Sequence, residues 1–126
     1  VVSPAESYQP ASPFDVVFIS GLFVYLTDEQ ASALMSHVHK LVAPHGIIIL
    51  RDSTSILPHR HEIVDRFSET LKTKYSAIYR TSVEYREAFS TAKFSLIKEG
   101  QVFPEGCPLN KFRETRLRYY VFQPTH

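Results

Sequence analysis

Two short hydrophobic runs without polar alternation organise the chain. The first covers residues 14–20 and is rich in β-branched side chains, and the second covers residues 47–50. Continuous apolar runs of this length are typical of strands buried on both faces, as in a parallel sheet covered by helices. Ligands of such sheets bind beyond the carboxyl ends of the strands. The residues that follow the two runs there are Ser20, Gly21, Asp52 and Ser53.

The segment between the two runs has the periodicity of a helix. Thr27 and Gln30 form a capping-box pattern, and two acidic residues follow Thr27 at the positive end of the helix dipole. The apolar residues then repeat at helical spacing and predict one buried stripe: Ala31, Leu34, Met35, Val38, Leu41 and Val42. Residues 44–46, Pro-His-Gly, are expected to end the helix before the second strand.

Shorter patterns predict the rest of the chain. Residues 1–13, with three prolines, read as an irregular lead-in to a single domain that spans residues 1–126. The later predictions are an amphipathic helix over 61–74, an extended segment or loop over 75–81, a helix capped by Ser82, a strand over 94–99, a loop over 102–110 and a strand over 117–122. The last two strands have no helix between them, which favours an antiparallel hairpin at one sheet edge.

Composition excludes several function classes. The net charge of +1 gives no electrostatic basis for binding nucleic acid or an acidic membrane surface. No apolar run approaches the roughly 20 residues of a membrane span. The single cysteine, Cys107, excludes an internal disulfide framework and fits a reducing compartment. We therefore expect a cytoplasmic location, with the nucleus as the alternative.

The sequence offers no motif for a phosphate loop or a metal centre. Its four glycines do not fall into a G-x-G-x-x-G or Walker pattern. His37 and His39 would point in different directions on a helix, and His59 and His61 flank the cation Arg60. A second cysteine for a zinc site is lacking. We expect no metal.

The order and content of these segments resemble the C-terminal half of a class I S-adenosylmethionine-dependent methyltransferase. The motifs that carry the resemblance are residues 14–17, 25–28, 41–46 and 48–52, followed by Arg80 and residues 85–97. The resemblance implies an α/β fold: a partial Rossmann-like sheet, mostly parallel, with an antiparallel C-terminal edge hairpin and helices on both faces. It also implies S-adenosylmethionine as cofactor and methyl transfer to a nitrogen or oxygen.

A narrower resemblance is to the group that methylates protein α-amino termini. In that group a polar residue at the Ser20 position contacts the cofactor, and an Asp-Asn pair stands at the positions of Asp52 and Ser53. The chain keeps Asp52 but departs from the group at four positions, where it has Gly21, Tyr25, Ser53 and Tyr75. The departures argue against peptide-terminus activity and leave a peptide or a small molecule open as the methyl acceptor.

The resemblance assigns roles by register. Ala5, Glu6, Ser20 and Gly21 would lie on the cofactor side, with Ala5 and Glu6 near the adenine, and Ser53 and Arg80 on the substrate side. Tyr25 and Asp52 are the catalytic candidates. The family's first strand and glycine-rich loop would precede residue 1, so the chain alone is expected to bind the cofactor weakly.

Each role has a simpler alternative. Tyr25 could be a packed aromatic ring with a solvated hydroxyl, and Asp52 could hold a loop rather than a substrate. The whole chain could be a non-catalytic module of the same fold, serving in binding or scaffolding. In either case the strand at residues 14–20 would present an apolar edge, through which self-association is expected.

Overall fold

A computed structural model describes residues 12–69 and 72–125. Its elements, in chain order, are β1 (Phe14–Ser20), a 3-10 turn (Phe23–Tyr25), α1 (Asp28–Leu41), β2 (Val42–Ser55), β3 (His61–Ser68), β4 (Thr73–Tyr79), α2 (Ser82–Thr91), β5 (Phe94–Gln101) and β6 (Thr115–Pro124). No helix among these elements is long and apolar enough to cross a bilayer.

The main sheet has the strand order β1-β2-β6-β5. β1 and β2 are parallel, with Val16 opposite Ile47 and Ser20 opposite Arg51. β6 is antiparallel to both β2 and β5. The parallel pair and the antiparallel C-terminal hairpin are therefore confirmed, but the sheet is mixed rather than mostly parallel in the described residues.

α1 begins as its sequence predicts. The Gln30 amide donates to Thr27 Oγ1 at 3.2 Å, and the Thr27 amide donates to Gln30 Oε1 at 3.0 Å, which completes the capping box. The helix ends at Leu41 and passes directly into β2, so residues 44–46 lie inside a strand instead of forming a turn. Gly46 is required there because a Cβ would lie 2.8 Å from the carbonyl oxygen of Asp15 on β1.

The prediction of a helix over residues 61–74 is wrong. Residues His61–Ser68 and Thr73–Tyr79 pair as an antiparallel hairpin, β3–β4, which forms a second, two-stranded sheet. The segment is rich in β-branched and aromatic side chains, and cross-strand pairs such as His61 and Tyr79 hold it. The extended segment expected after it is confirmed in β4.

Both helices pack on one face of the main sheet, whereas helices on both faces were expected. Ile48 and Leu50 of β2 share a face with Phe122 and Tyr120, their partners on β6. These side chains form a single core with residues of α1 and α2. Within this core the Phe89 ring of α2 stacks on Phe122 with centroids 4.1 Å apart. One layer of helices thus covers one face of the described sheet.

The opposite face of β1 carries exposed hydrophobic side chains. Ile19 points into the core, and Val16 and Phe18, which alternate with it, point away from the helices. Val16 is 55% exposed and Phe18 is 58% exposed. No strand among residues 12–69 and 72–125 pairs with the outer edge of β1.

Candidate functional site

The carboxyl ends of β1 and β2 meet at one edge of the sheet. The Gly21 amide donates to the Arg51 carbonyl at 3.0 Å, and Arg51 Nε donates to Ser20 Oγ at 3.1 Å. Gly21 has a φ of +66°, a conformation in which a side chain would be strained. The chain therefore leaves β1 by a sharp, glycine-dependent bend that directs the next residues across the end of β2.

Asp52 fastens that bend from the β2 side. Its side chain is 1% exposed; Oδ2 accepts from the Phe23 amide at 3.0 Å and Oδ1 from the Ser53 amide at 3.1 Å. Burial raises the pKa of Asp52 to about 6, although the backbone donors and the charge of Arg80 oppose the shift. The carboxylate holds the 3-10 turn at the end of β2.

Arg80 fastens the same turn from the side of the hairpin. It follows β4 and is 3% exposed. Its Nη1 donates to the Phe23 carbonyl at 2.7 Å, and its Nη2 donates to the Leu26 carbonyl at 2.8 Å and to Asp28 Oδ1 at 2.9 Å. The buried Arg80 guanidinium and the buried Asp52 carboxylate thus bond the carbonyl and the amide of Phe23.

Tyr25 stands at the end of the turn that these two side chains hold. It is 58% exposed, and it lines a groove of about 310 Å³ between the turn and the hairpin. Ile63 and Ala77 form the hairpin side of this groove. The phenol is therefore presented on a fixed backbone beside an open space.

A layer of buried polar side chains lies behind the site. Tyr120 Oη is 2.9 Å from Thr54 Oγ1 and 3.0 Å from Ser82 Oγ, which joins β2, β6 and α2. Burial, and then the charge of Asp52, raises the pKa of Tyr85 well above its usual range. Tyr85 therefore stays neutral beside Asp52 and Arg80.

The inner face of the hairpin was missed by sequence reasoning. It lines a second cavity of about 110 Å³, and Thr115, the partner of Ser55 at the end of β2, lies at the same cavity. Burial raises the pKa of Tyr79, which lies within electrostatic reach of Tyr25 and Asp52. The signal was present: Tyr75, Ala77 and Tyr79 alternate with period two, as on one face of a strand.

The structure brings four of the predicted residues to one edge: Ser20, Gly21, Tyr25 and Asp52. Ser53 is half-buried beside them, and its amide is bound by Asp52. Arg80 supports the turn from beneath. Ala5 and Glu6 lie outside the described residues. The described residues hold no cluster of three or more side chains suited to a metal ion. The cofactor, substrate and catalytic roles stay predictions.

The raised pKa of Asp52 predicts a pH-dependent stability. The folded-state pKa is about 6 and the ordinary value is 3.8, so the folded chain binds more protons between these values. The free energy of unfolding is expected to fall as pH rises from about 4 to about 6. At about 1.4 kcal/mol per pKa unit the loss is about 3 kcal/mol at most.

Urea unfolding of the chain and of Asp52→Asn between pH 4 and pH 7 measures this dependence. The lowered pKa values of Asp28 and Glu84 stabilise the fold as pH rises, but they are common to both proteins and cancel in the difference. The free energy of unfolding of the Asn variant, relative to that of the original chain, should therefore rise between pH 4 and pH 6. Parallel curves would contradict the assigned burial of the charge.

Solved structures share the fold over almost the whole chain. A Burkholderia thailandensis 1,6-didemethyltoxoflavin-N1-methyltransferase, solved with bound 1,6-didemethyltoxoflavin and S-adenosylhomocysteine, matches at a TM-score of 0.75 and 14% identity, over 100% of this chain and 50% of its own. The glycopeptide N-methyltransferase MtfA, solved with S-adenosylmethionine, matches at a TM-score of 0.73 and 13% identity. The match covers 98% of this chain and 64% of MtfA. A pericyclic reaction enzyme matches at a TM-score of 0.64 and 17% identity, over 98% of this chain and 29% of the enzyme.

Sequence comparisons give nothing comparable. No protein-family model matches the chain, and no curated protein matches it. The chain spans between half and two thirds of the two methyltransferases it is similar to. The described residues thus have the fold of part of a class I S-adenosylmethionine-dependent methyltransferase.

Proposed function

We propose that the chain is the C-terminal portion of an S-adenosylmethionine-dependent methyltransferase. The observation that carries the proposal is the edge where β1 and β2 end. There the bend at Gly21, the fixed 3-10 turn and the exposed Tyr25 lie together. The whole chain is similar in fold to half of an N-methyltransferase. Fold likeness alone does not assign chemistry, so the proposal is framed on these residues.

The chain offers one side of a cofactor site. Gly21 leaves open space, with nothing within 4 Å of where a Cβ would stand, and Ser20 is exposed next to it. The sequence has no glycine-rich loop to cradle the rest of the molecule. We assign Ser20 and Gly21 to the methionine side and Ala5 and Glu6 to the adenine side. Tight binding would need residues beyond these 126.

S-adenosylmethionine, held on its methionine side by Ser20 and Gly21, would supply a methyl group activated on a sulfonium. The chain's contribution is positioning, which dominates reactions of this kind. The Tyr25 hydroxyl would orient an acceptor nitrogen or oxygen, and its proton would pass to water or a nearby base.

The remaining candidates act at the acceptor side. Asp52 is buried with both carboxylate oxygens bonded to amides, so we assign it a positioning role through the turn that carries Tyr25. Arg80 would do the same from the hairpin. We assign Ser53, which is half-buried beside this edge, to contact with the substrate. The acceptor would be a small molecule or a peptide.

Calorimetry with S-adenosylhomocysteine tests the proposal. The product of the complete gene should bind this ligand, and the 126-residue chain should bind it at least about tenfold more weakly, because it offers one side of the site. A Gly21→Val variant of the complete protein should lose affinity through backbone strain, and Gly106→Val, in the loop before β6, is a matched control with a similar positive φ. Absence of binding by the complete protein would overturn the proposal.

A non-catalytic module of the same fold is the second candidate. The observation that favours it is that Asp52 and Arg80, the two buried charged residues of the site, are both engaged by the protein's own backbone. The pericyclic reaction enzyme with the same fold shows that this architecture also serves other chemistry. Calorimetry separates the two candidates, since a module without cofactor would give no heat with S-adenosylhomocysteine.

We further propose that the 126-residue chain associates with itself through β1. Val16 and Phe18 expose apolar surface on a strand whose outer edge has no partner strand among the described residues. Such a strand is a template for pairing with another chain. Two copies would then form a continuous sheet across the contact.

Light scattering after size-exclusion chromatography measures this association. The chain should change from monomer towards dimer as its concentration rises through the micromolar range, and Phe18→Lys should shift the transition to higher concentration by placing a charge on the exposed strand. Val83→Lys, at an exposed position on α2, is the matched control. A chain that stays monomeric at high concentration would contradict the proposal.

A further inference from the structure

The inner face of the β3–β4 hairpin is built from successive cross-strand pairs. His61 faces Tyr79, Ile63 faces Ala77, and Arg66 faces Tyr75 after a register shift. Ile63 and Ala77 are buried, and the pairs on either side of them reach the cavity. The face therefore has an apolar floor between an aromatic pair and a pair that carries a cation.

The rings of His61 and Tyr79 stack on each other, and both residues line the cavity. Their centroids are 5.9 Å apart and their planes differ by 19°. Aromatic rings that line a cavity favour a planar aromatic partner, which packs on them in an offset-stacked or edge-to-face arrangement.

Another part of the cavity wall comes from the segment before β6. Phe112 adds a third aromatic ring to the cavity lining, after those of His61 and Tyr79, and Glu114 adds a carboxylate. Arg66 on the hairpin and Glu114 on this wall thus place one positive and one negative group at the same cavity. A ligand that satisfies both must offer an anionic acceptor and an N–H donor.

The size of the cavity limits the ligand to one ring. Its volume is about 110 Å³. An engineered apolar cavity of about 150 Å³ holds benzene, so this space is on the scale of a single ring with its substituents partly in solvent. A fused polycyclic system or a folded peptide segment would not enter it.

We propose that this cavity binds a small aromatic ring carrying one amine and one carboxylate, as in an aminobenzoate, with the ring between His61, Tyr79 and Phe112, the carboxylate at Arg66 and the amine at Glu114. The inference goes beyond the proposed function, because Tyr25 and Ser53, which we assign to the methyl acceptor, do not line this cavity. The binding itself stands on the cavity and needs no cofactor, so the two can fail separately.

Ligand-observed NMR titration of the 126-residue chain tests the binding. The probe is 4-aminobenzoate, compared with aniline, which lacks the carboxylate, with benzoate, which lacks the amine, and with cyclohexanecarboxylate, which lacks the aromatic ring. The dissociation constant of 4-aminobenzoate should be the lowest by about fivefold, the scale of one partly exposed charge contact.

Variants connect the preference to the assigned groups. Arg66→Gln should weaken 4-aminobenzoate and benzoate about fivefold and leave aniline unchanged, and Glu114→Gln should act on the two amines alone. Phe112→Ala should weaken every aromatic probe. Arg113→Gln, at an exposed position next to Phe112 that does not line the cavity, should change nothing and is the matched control for lost positive charge.

Three outcomes would overturn the inference: no binding of 4-aminobenzoate, equal binding of cyclohexanecarboxylate, or equal losses in Arg66→Gln and Arg113→Gln. Calorimetry with S-adenosylhomocysteine on the complete protein is the independent readout for the proposed function. Ring binding without cofactor binding would retain the cavity's ligand class and reject the methyltransferase. Cofactor binding without ring binding would retain the methyltransferase proposal and reject the cavity's ligand class.

Discussion

The site depends on two buried charged side chains that hydrogen-bond the backbone of one residue. Phe23 donates its amide to Asp52 and accepts at its carbonyl from Arg80, while its ring packs in the core against Phe89, with centroids 5.8 Å apart. Through this single residue the end of β2, the end of the hairpin and α2 are connected. The position of Tyr25, two residues on, follows from that connection.

Burial of two charges is tolerated because each one is bonded. An unpaired ion in the interior would be strongly destabilising, but the Asp52 oxygens accept from two amides and the Arg80 guanidinium reaches two carbonyls and Asp28. Arg60 bonds both Asp28 and Glu84, which extends the charge network to the starts of α1 and α2. The positive charge of Arg80 also lowers the pKa of Asp52 and so offsets part of the effect of its burial.

Local signals account for the parts of the fold that the sequence predicted. The positions of strands β1 and β2 and the capping box at Thr27 are set by neighbours a few residues away, and the structure confirms them. The burial of β1 on both faces, which its apolar run predicted, is wrong, since Val16 and Phe18 are exposed. The hairpin was missed because Ile63, Val64 and Phe67 fit a helical stripe as well as a strand, and pairing with β4 decides between them. Placement of both helices on one face depends on tertiary packing, which periodicity does not encode.

The candidate site divides in the same way. Ser20 ends β1, Gly21 follows it and Asp52 lies near the carboxyl end of β2, so their shared edge was predictable from the rule for parallel sheets. The grip of Arg80 on Phe23 spans 57 residues and has no local signature, and the cavity beside Arg66 and Tyr79 exists only once the hairpin forms. Residues that act through long-range contacts are thus the ones that sequence reasoning loses.

Amide hydrogen exchange in an Arg80→Met variant tests the grip on Phe23 most directly. The amides of Phe23 and Leu26, which donate to Asp52 and to the Phe23 carbonyl, should exchange at least about tenfold faster, the scale of one lost charged hydrogen bond. The amides of Ile48 and Leu50 in the sheet should keep their rates. Unchanged exchange at the turn, or equal acceleration throughout the sheet, would contradict the account.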